Sequence, residues 1–427
     1  MSLLPGQRSE YARPRLPLRE APGQSSPTRT APWPPWPHFE AEEIAAVAAV
    51  LHSGKVNYWT GEEGRRFEQE FAELCGCRYA VAVANGTVAL ELALYALGIG
   101  PGDEVVTTSR TFIASASAVV MRGAIPVLAD VDPESQNLTA ATVRKVLSPR
   151  TRAIIAVHLA GWPCDMEGLL ALAHERGLKL IEDCAQAHGA SYRGRQVGGL
   201  GDVAAFSFCQ DKIMTTGGEG GMLTTNDRGI WERAWAYKDH GKSYDAVYHR
   251  QHPAGFRWLH ESFGTNWRMT EMQAAIGRAT LPRLSGWIAC RRRNAAILTE
   301  GFKTIPALRV TEPPFEAGHS YYKYYTFIRP ELLRDGWTRE QIIEAIVAEG
   351  IPCLSGSCSE ICREKAFTNR MLCQNSHLPV ARTLGRTSLM FLVHPTSGEA
   401  DMRETTEAVG KVFRRAAKEP QLIRQLH

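Results

Sequence analysis

Apolar positions along the chain follow two rhythms. Between residues 79 and 182, short apolar runs alternate with stretches where apolar residues recur every three or four positions. The runs at 79–83, 104–107, 126–130, 153–157 and 178–182 predict strands. The stretches at 87–97, 113–122 and about 165–176 predict helices. Two more helices are expected upstream. One covers 42–52, with Ile44, Val47 and Leu51 on one face, and the other covers 64–75, with Phe67, Phe71 and Leu74. Strands apolar on both faces, alternating with helices, imply an α/β fold with a mostly parallel sheet covered by helices on both sides.

Past Met269 the alternation stops. Residues 270 to about 296 read as a long helix interrupted at Pro282. Residues near 300–415 read as a smaller α+β unit, with a strand at 321–328 and helices at 338–349 and 402–416. Residues 1–37 are rich in Pro, Arg and Ser and end in Ala31-Pro32-Trp33-Pro34-Pro35-Trp36-Pro37. That composition predicts an extended arm, either draped over a neighbouring subunit or free as a tail. The expected division is therefore an arm at 1–37, a large cofactor-binding domain at 38–285 and a small C-terminal domain at 286–427.

At 427 residues the chain exceeds one compact core, which agrees with two folded units. A net charge of +4 and the lack of a Lys/Arg-rich arm point away from nucleic acid. Arg291-Arg292-Arg293 reads as a solvated helix face, with contact to an anionic substrate as the other reading. No apolar run is long enough to span a bilayer, and no secretory signal pattern opens the chain. A cytoplasmic location is expected, with the ten cysteines as reduced thiols. Cys353, Cys358, Cys362 and Cys373 match no paired zinc-ligand spacing, so no metal is expected.

The chemistry gathers at two places. Asp183 ends the strand at 178–182, where open α/β sheets bind ligands. Lys212 follows Phe206-Ser207-Phe208 and precedes the run Gly217-Gly218-Glu219-Gly220-Gly221. A lysine amine on such a loop with a carboxylate at a strand end suits pyridoxal 5'-phosphate (PLP). The amine forms a Schiff base, and the carboxylate keeps the pyridinium nitrogen protonated so that the ring acts as an electron sink. Asn85-Gly86-Thr87 opens a helix after a strand, a corner suited to a phosphate and equally to a plain turn and N-cap. Ser207 offers a hydroxyl, Gln186 an amide and Phe112 a ring for stacking. Taken singly, each also fits an ordinary structural role. His158, His188 and His240 fall near strand ends or turns and read as structural histidines.

Taken in order, these residues and their neighbours carry a resemblance. Gly102-Asp103-Glu104, Thr111-Phe112-Ile113-Ala114, Glu182-Asp183-x-Ala185-Gln186-Ala187-His188-Gly189-Ala190, Phe206-Ser207-Phe208-x-x-x-Lys212, Gly218-Glu219-Gly220-Gly221 and Asn266-x-Arg268-Met269-x-Glu271 are all present. Over residues 38–415 the chain resembles the DegT/DnrJ/StrS family of sugar aminotransferases, PLP enzymes of fold type I. The resemblance implies that Lys212 carries the cofactor, Asp183 pairs with its ring nitrogen, Gln186 bonds its ring oxygen and Phe112 stacks on it. Gly86, Thr87 and Ser207 would hold its phosphate. Asn266 would reach the phosphate of the neighbouring subunit, making a homodimer with shared active sites. The implied substrates are an amino acid donor, with L-glutamate expected, and a keto group on a nucleotide-linked sugar, handled in ping-pong fashion through a pyridoxamine form. A cyclitol ketone as acceptor, or a non-catalytic regulatory protein with this fold, are the alternatives. The sugar 3-dehydratases related to the family put histidine where Lys212 stands. The resemblance fades at 244–263, which holds His249, Arg250, His252, Arg257, Trp258 and His260.

Overall fold

The computed structural model describes residues 26–370 and 377–418. Two main sheets organise them, and a minor third sheet joins the two-residue strands Ser191–Tyr192, Arg195–Gln196 and Ala317–Gly318. The larger contains β1 (Tyr79–Val83), β2 (Glu104–Thr108), β3 (Ile125–Ala129), β4 (Thr151–Val157), β5 (Lys179–Asp183), β6 (Val203–Ser207) and β7 (Gly221–Thr225). Their order is β1-β7-β6-β5-β4-β2-β3. Strand β7 runs against both neighbours, and the remaining contacts are parallel. The strands are buried on both faces, as their unbroken apolar sequences require. Val81, Val105, Ile155 and Ile181 pack against the helix Gly86–Ala96 on one side. Ile154, Ala156 and Leu180 pack against the helix Met166–Arg176 on the other.

The smaller sheet has β8 (Leu308–Val310), β9 (Tyr324–Ile328), β10 (Cys353–Leu354) and β11 (Ser388–Phe391), all antiparallel in the order β8-β9-β11-β10. Leu298, Phe302, Ile342, Val409 and Phe413, from three helices, form its core. Pro282 lies in a short 3-10 turn between the helices Glu271–Thr280 and Leu284–Lys303, where its missing N–H costs no regular helix bond. No helix among the described residues is long and apolar enough to cross a membrane.

Three expectations need correction. The first helix, Ala41–Ser53, turns Glu43 and Val50 inward and leaves Ile44 and Leu51 exposed at 65% and 55%. Glu43 decides the orientation, because it pairs with Arg283 and also accepts the Glu40 N–H at 2.8 Å. Arg291 is not solvated. It is 1% exposed and donates from Nη1 to the carbonyls of Tyr321 and Tyr322 at 3.3 and 3.2 Å. Those bonds accompany a left-handed Tyr321 (φ 48), so the strand expected from 321 starts at Tyr324. The described part of the arm, 26–37, lies against its own chain, with Arg29 bonded to Asp401 and Glu404 at 2.6 Å each. The rest of the arm and Cys373 fall outside the described residues. The nine cysteines within them are all free thiols.

Candidate active site

The site lies where β1, β2, β5 and β6 end. Asp183 closes β5 and is 5% exposed. Its Oδ2 accepts from the Ser115 hydroxyl at 2.8 Å and its Oδ1 from the Ala185 N–H at 3.1 Å. Burial pushes its pKa up. The Ser115 and Ala185 bonds, the nearby Lys212 ammonium and His158 oppose that push. Among the described residues no cation lies within ion-pair distance of the carboxylate. A pyridinium N–H would offset that burial.

Lys212 sits on the loop between β6 and β7, its side chain 16% exposed. Its Nζ lies 3.7 Å from Asp211 Oδ1 and 5.1 Å from the centre of the Tyr322 ring. The Tyr322 hydroxyl donates to Asp211, whose carboxylate therefore faces two groups at once. Lys323 stands over the same Tyr322 ring at 4.6 Å. Burial lowers its pKa to about 8, against the pull of Asp211 and with the help of Arg291 and Lys212. The loop needs Gly218, whose φ of 121 excludes side chains.

The phosphate corner is built from three chain segments. Asn85 caps the helix Gly86–Ala96 by accepting the Val88 N–H at 3.0 Å. The first-turn amides of Gly86 and Thr87 have no partner within the helix, so they can face an anion. A Cβ on Gly86 would sit 2.5 Å from Ser207 Cβ and 3.0 Å from its Cα, so only glycine lets these segments meet. Gln186 Oε1 accepts the Ala160 N–H at 2.8 Å, which orients the side chain and leaves its amide NH2 to donate elsewhere. Phe112 follows β2 on the segment that leads to Ser115 and is 67% exposed, so its ring face is open for stacking. These observations fit PLP: a buried acid without an ion-paired cation, a lysine amine near enough to influence its charge and an anion corner at a helix start.

Asn266 precedes the segment that pairs with the end of β1, where the Trp267 carbonyl accepts the Ala84 N–H at 2.9 Å and Arg268 bridges Val83. It is exposed, forms an antiparallel bridge with Asp239 and orients its own turn by accepting the Arg268 N–H at 3.4 Å. Arg268 in turn is held by Asp239 at 2.6 Å. The amide of Asn266 therefore projects from a fixed loop. His158, His188 and His240 have different surroundings. His158 Nδ1 accepts the Cys164 N–H at 3.0 Å, and its Nε2 meets Glu182 Oε2 at 3.2 Å. His188 packs on Phe206 and Phe208, and burial lowers its pKa to about 3. His240 occupies a left-handed turn.

Sequence reasoning passed over Ser115, Tyr322, Lys323 and Trp36. Ser115 directly follows the Thr111-Phe112-Ile113-Ala114 run. The indole of Trp36 donates to the Lys212 carbonyl at 2.9 Å, and no local pattern in a Pro-rich arm signals that contact.

Residues 37–410 match the DegT/DnrJ/EryC1/StrS aminotransferase family. A solved aminotransferase from Psychrobacter cryohalolentis superposes with a TM-score of 0.88 at 53% identity, covering 90% of this chain and 99% of that one. A GDP-perosamine synthase of Caulobacter vibrioides is 43% identical over 297 residues, 69% of this chain and 76% of the relative. An L-glutamine:2-deoxy-scyllo-inosose aminotransferase of Streptoalloteichus tenebrarius is 34% identical over 429 aligned positions, covering 93% and 98%.

Proposed function

The chain belongs to the DegT/DnrJ/EryC1/StrS aminotransferase family and is an aminotransferase, and from that premise we propose that it uses PLP to move an amino group from L-glutamate to the keto carbon of a nucleotide-linked sugar. The observation that carries the cofactor assignment is the buried Asp183 carboxylate, which lacks a cation while the Lys212 ammonium lies close by. PLP, when bound, supplies an electron sink for the bonds around the transferred nitrogen.

The chain's own residues do the remaining work. The Lys212 amine accepts a proton at Nζ from one carbon and returns it to another. Asp183 holds a proton at the ring nitrogen through a carboxylate that Ser115 and the Ala185 N–H keep in place. Gln186, fixed by the Ala160 N–H, donates from its amide. Gly86, Thr87 and Ser207 hold the phosphate, and Phe112 covers the ring. Asn266 completes the phosphate site of the partner in a cytoplasmic homodimer. Within each subunit we divide the chain into the arm 1–37, the large domain 38–285 and the small domain 286–427.

Lys323 supports an anionic acceptor. It stands beside Lys212, and no carboxylate lies within ion-pair distance of it among the described residues. A nucleotide diphosphate offers charge there, whereas a cyclitol ketone offers none. The cyclitol relative favours the second reading by its coverage, and the perosamine relative favours the first by its identity. The test loads the protein with pyridoxamine phosphate and offers GDP-, dTDP- and UDP-linked keto-sugars beside a scyllo-inosose ketone, following loss of absorbance. A nucleotide keto-sugar should react about a hundredfold faster than the cyclitol. Faster reaction of the cyclitol would overturn the assignment of the acceptor. The same assay run in reverse with L-glutamate and L-glutamine identifies the donor.

A further inference from the structure

The arm leading into the family-matched region ends on the lysine loop. Lys212 has two backbone groups, and each has one partner. Its N–H donates to the Cys209 carbonyl at 3.0 Å, and its carbonyl accepts from Trp36 Nε1 at 2.9 Å. The Trp36 ring is itself fixed. It meets Trp287 edge-on at 5.3 Å and His394 in a near-parallel stack at 6.1 Å, and the Arg291 guanidinium lies 5.3 Å from its centre.

The chain before it is tied at several points. Arg29 bridges Asp401 and Glu404, and its N–H donates to the Glu349 carbonyl at 3.0 Å. Thr28 places its N–H and hydroxyl on Glu349 Oε2 at 2.9 and 3.0 Å. The Arg29 guanidinium lies over the Trp33 ring at 5.0 Å, and Trp33 donates to His394 Nε2 at 3.3 Å. The Thr396 hydroxyl donates to the Pro35 carbonyl at 2.8 Å.

We propose that Trp36 is a positioning residue for Lys212, held by a strap of residues 28–36 that joins the helices beside the small sheet to the lysine loop. The proposal rests on the role given to Lys212 above. A lysine that serves two atoms in turn must pivot from a fixed backbone, and ångström-scale misplacement of such a group costs large factors in rate. The loop between β6 and β7 is irregular and glycine-rich, so it does not supply that fixity alone. Trp36 supplies it from outside the loop. Its test must separate positioning from the filling of space.

Trp36→Phe keeps an aromatic ring but removes the donor and part of the indole's bulk. Trp33→Phe makes the same loss of donor and bulk in the same strap without touching Lys212, so the difference between the two variants reads the bond to the Lys212 carbonyl. In the cofactor-loaded full chain without substrate, the rate at which borohydride fixes the cofactor to Lys212 reads the placement of the amine directly. Trp36→Phe should slow that fixation and lower kcat about tenfold while changing KM less than about twofold, the loss of roughly one hydrogen bond. Trp33→Phe should leave both within about twofold. Wild-type fixation and kcat in Trp36→Phe, or equal losses in the two variants, would overturn the proposal. If Trp36→Phe does not fold, Arg29→Ala, which frees the strap far from the site, decides: slower fixation supports the proposal and unchanged fixation overturns it. Failure of the underlying role for Lys212 shows separately, because the wild-type label would then sit on another lysine.

Discussion

Glu182 and Asp183 are adjacent on one strand, both buried, and have opposite fates. Alternation along β5 sends them to opposite faces of the sheet. Glu182 accepts from His158 Nε2 and from the backbone N–H groups of Gly198, Leu200 and Gly201, all at 2.8–3.2 Å. Burial alone would push its pKa up, but these donors outweigh burial and hold it below its ordinary value. Asp183 has two donors and no cation among the described residues, and burial wins, leaving its pKa raised. His158, Glu182 and Cys184 offer ligand atoms within 4.8 Å of one another, but Glu182 is already committed to holding the 198–201 turn. The lesson is that burial of a carboxylate does not mark a site. A shortfall of donors does.

Removing Lys212 gives the largest effect. Lys212→Ala should remain folded, bind PLP weakly and lose turnover by at least about a thousandfold, measured as product formed per folded subunit. Asp183→Asn should keep the cofactor and lose turnover by about a hundredfold, because a neutral ring nitrogen makes a poor electron sink. Near-normal turnover in that variant would mean that another acid serves the ring. Asn266→Ala should weaken cofactor retention by about tenfold, the worth of one charge-assisted bond to phosphate. If Lys212→Ala and Asn266→Asp chains are each inactive, mixing them should restore partial activity, since one site in each heterodimer carries neither lesion. Verified heterodimers without recovery would break the shared-site account.

The smallest effect on turnover comes from Glu182. Glu182→Gln should stay within a few-fold of wild-type turnover but lose about 2–4 kcal/mol of stability, read by denaturant unfolding. The two carboxylates also have opposite pH signatures in the cofactor-free protein. The folded pKa of Glu182 is lowered, so its stabilisation is present above its ordinary value of 4.5 and is lost as pH falls through the folded value. The folded pKa of Asp183 is raised, so its contribution is most favourable below its ordinary value of 3.8 and declines as pH rises through the folded value. Cofactor-free Asp183→Asn should therefore be more stable than wild type at neutral pH, and cofactor-free Glu182→Gln less stable. The same sign for both would erase the distinction drawn here.

Much of this contrast was legible in the sequence. Apolar runs placed β1 to β5 within a residue or two, because strands buried on both faces leave an unbroken signature. Asp183 and Lys212 stood out by type and position. Less legible was anything set by distant packing. The face of the helix Ala41–Ser53 was misjudged because the pairing of Glu43 with Arg283 overrides its apolar pattern. Arg291 read as solvated because nothing local shows that two carbonyls and the Trp36 ring enclose it. Ser115 and Trp36 act across 68 and 176 residues of chain.

The central claim is that Lys212 carries the cofactor beside Asp183. Borohydride reduction of the PLP-loaded protein, followed by peptide mapping, tests it directly. The account predicts the label on the peptide containing Lys212 and none in Lys212→Ala. A label on Lys323, the half-buried amine over the same Tyr322 ring, or on Lys179 or Lys238 would contradict it.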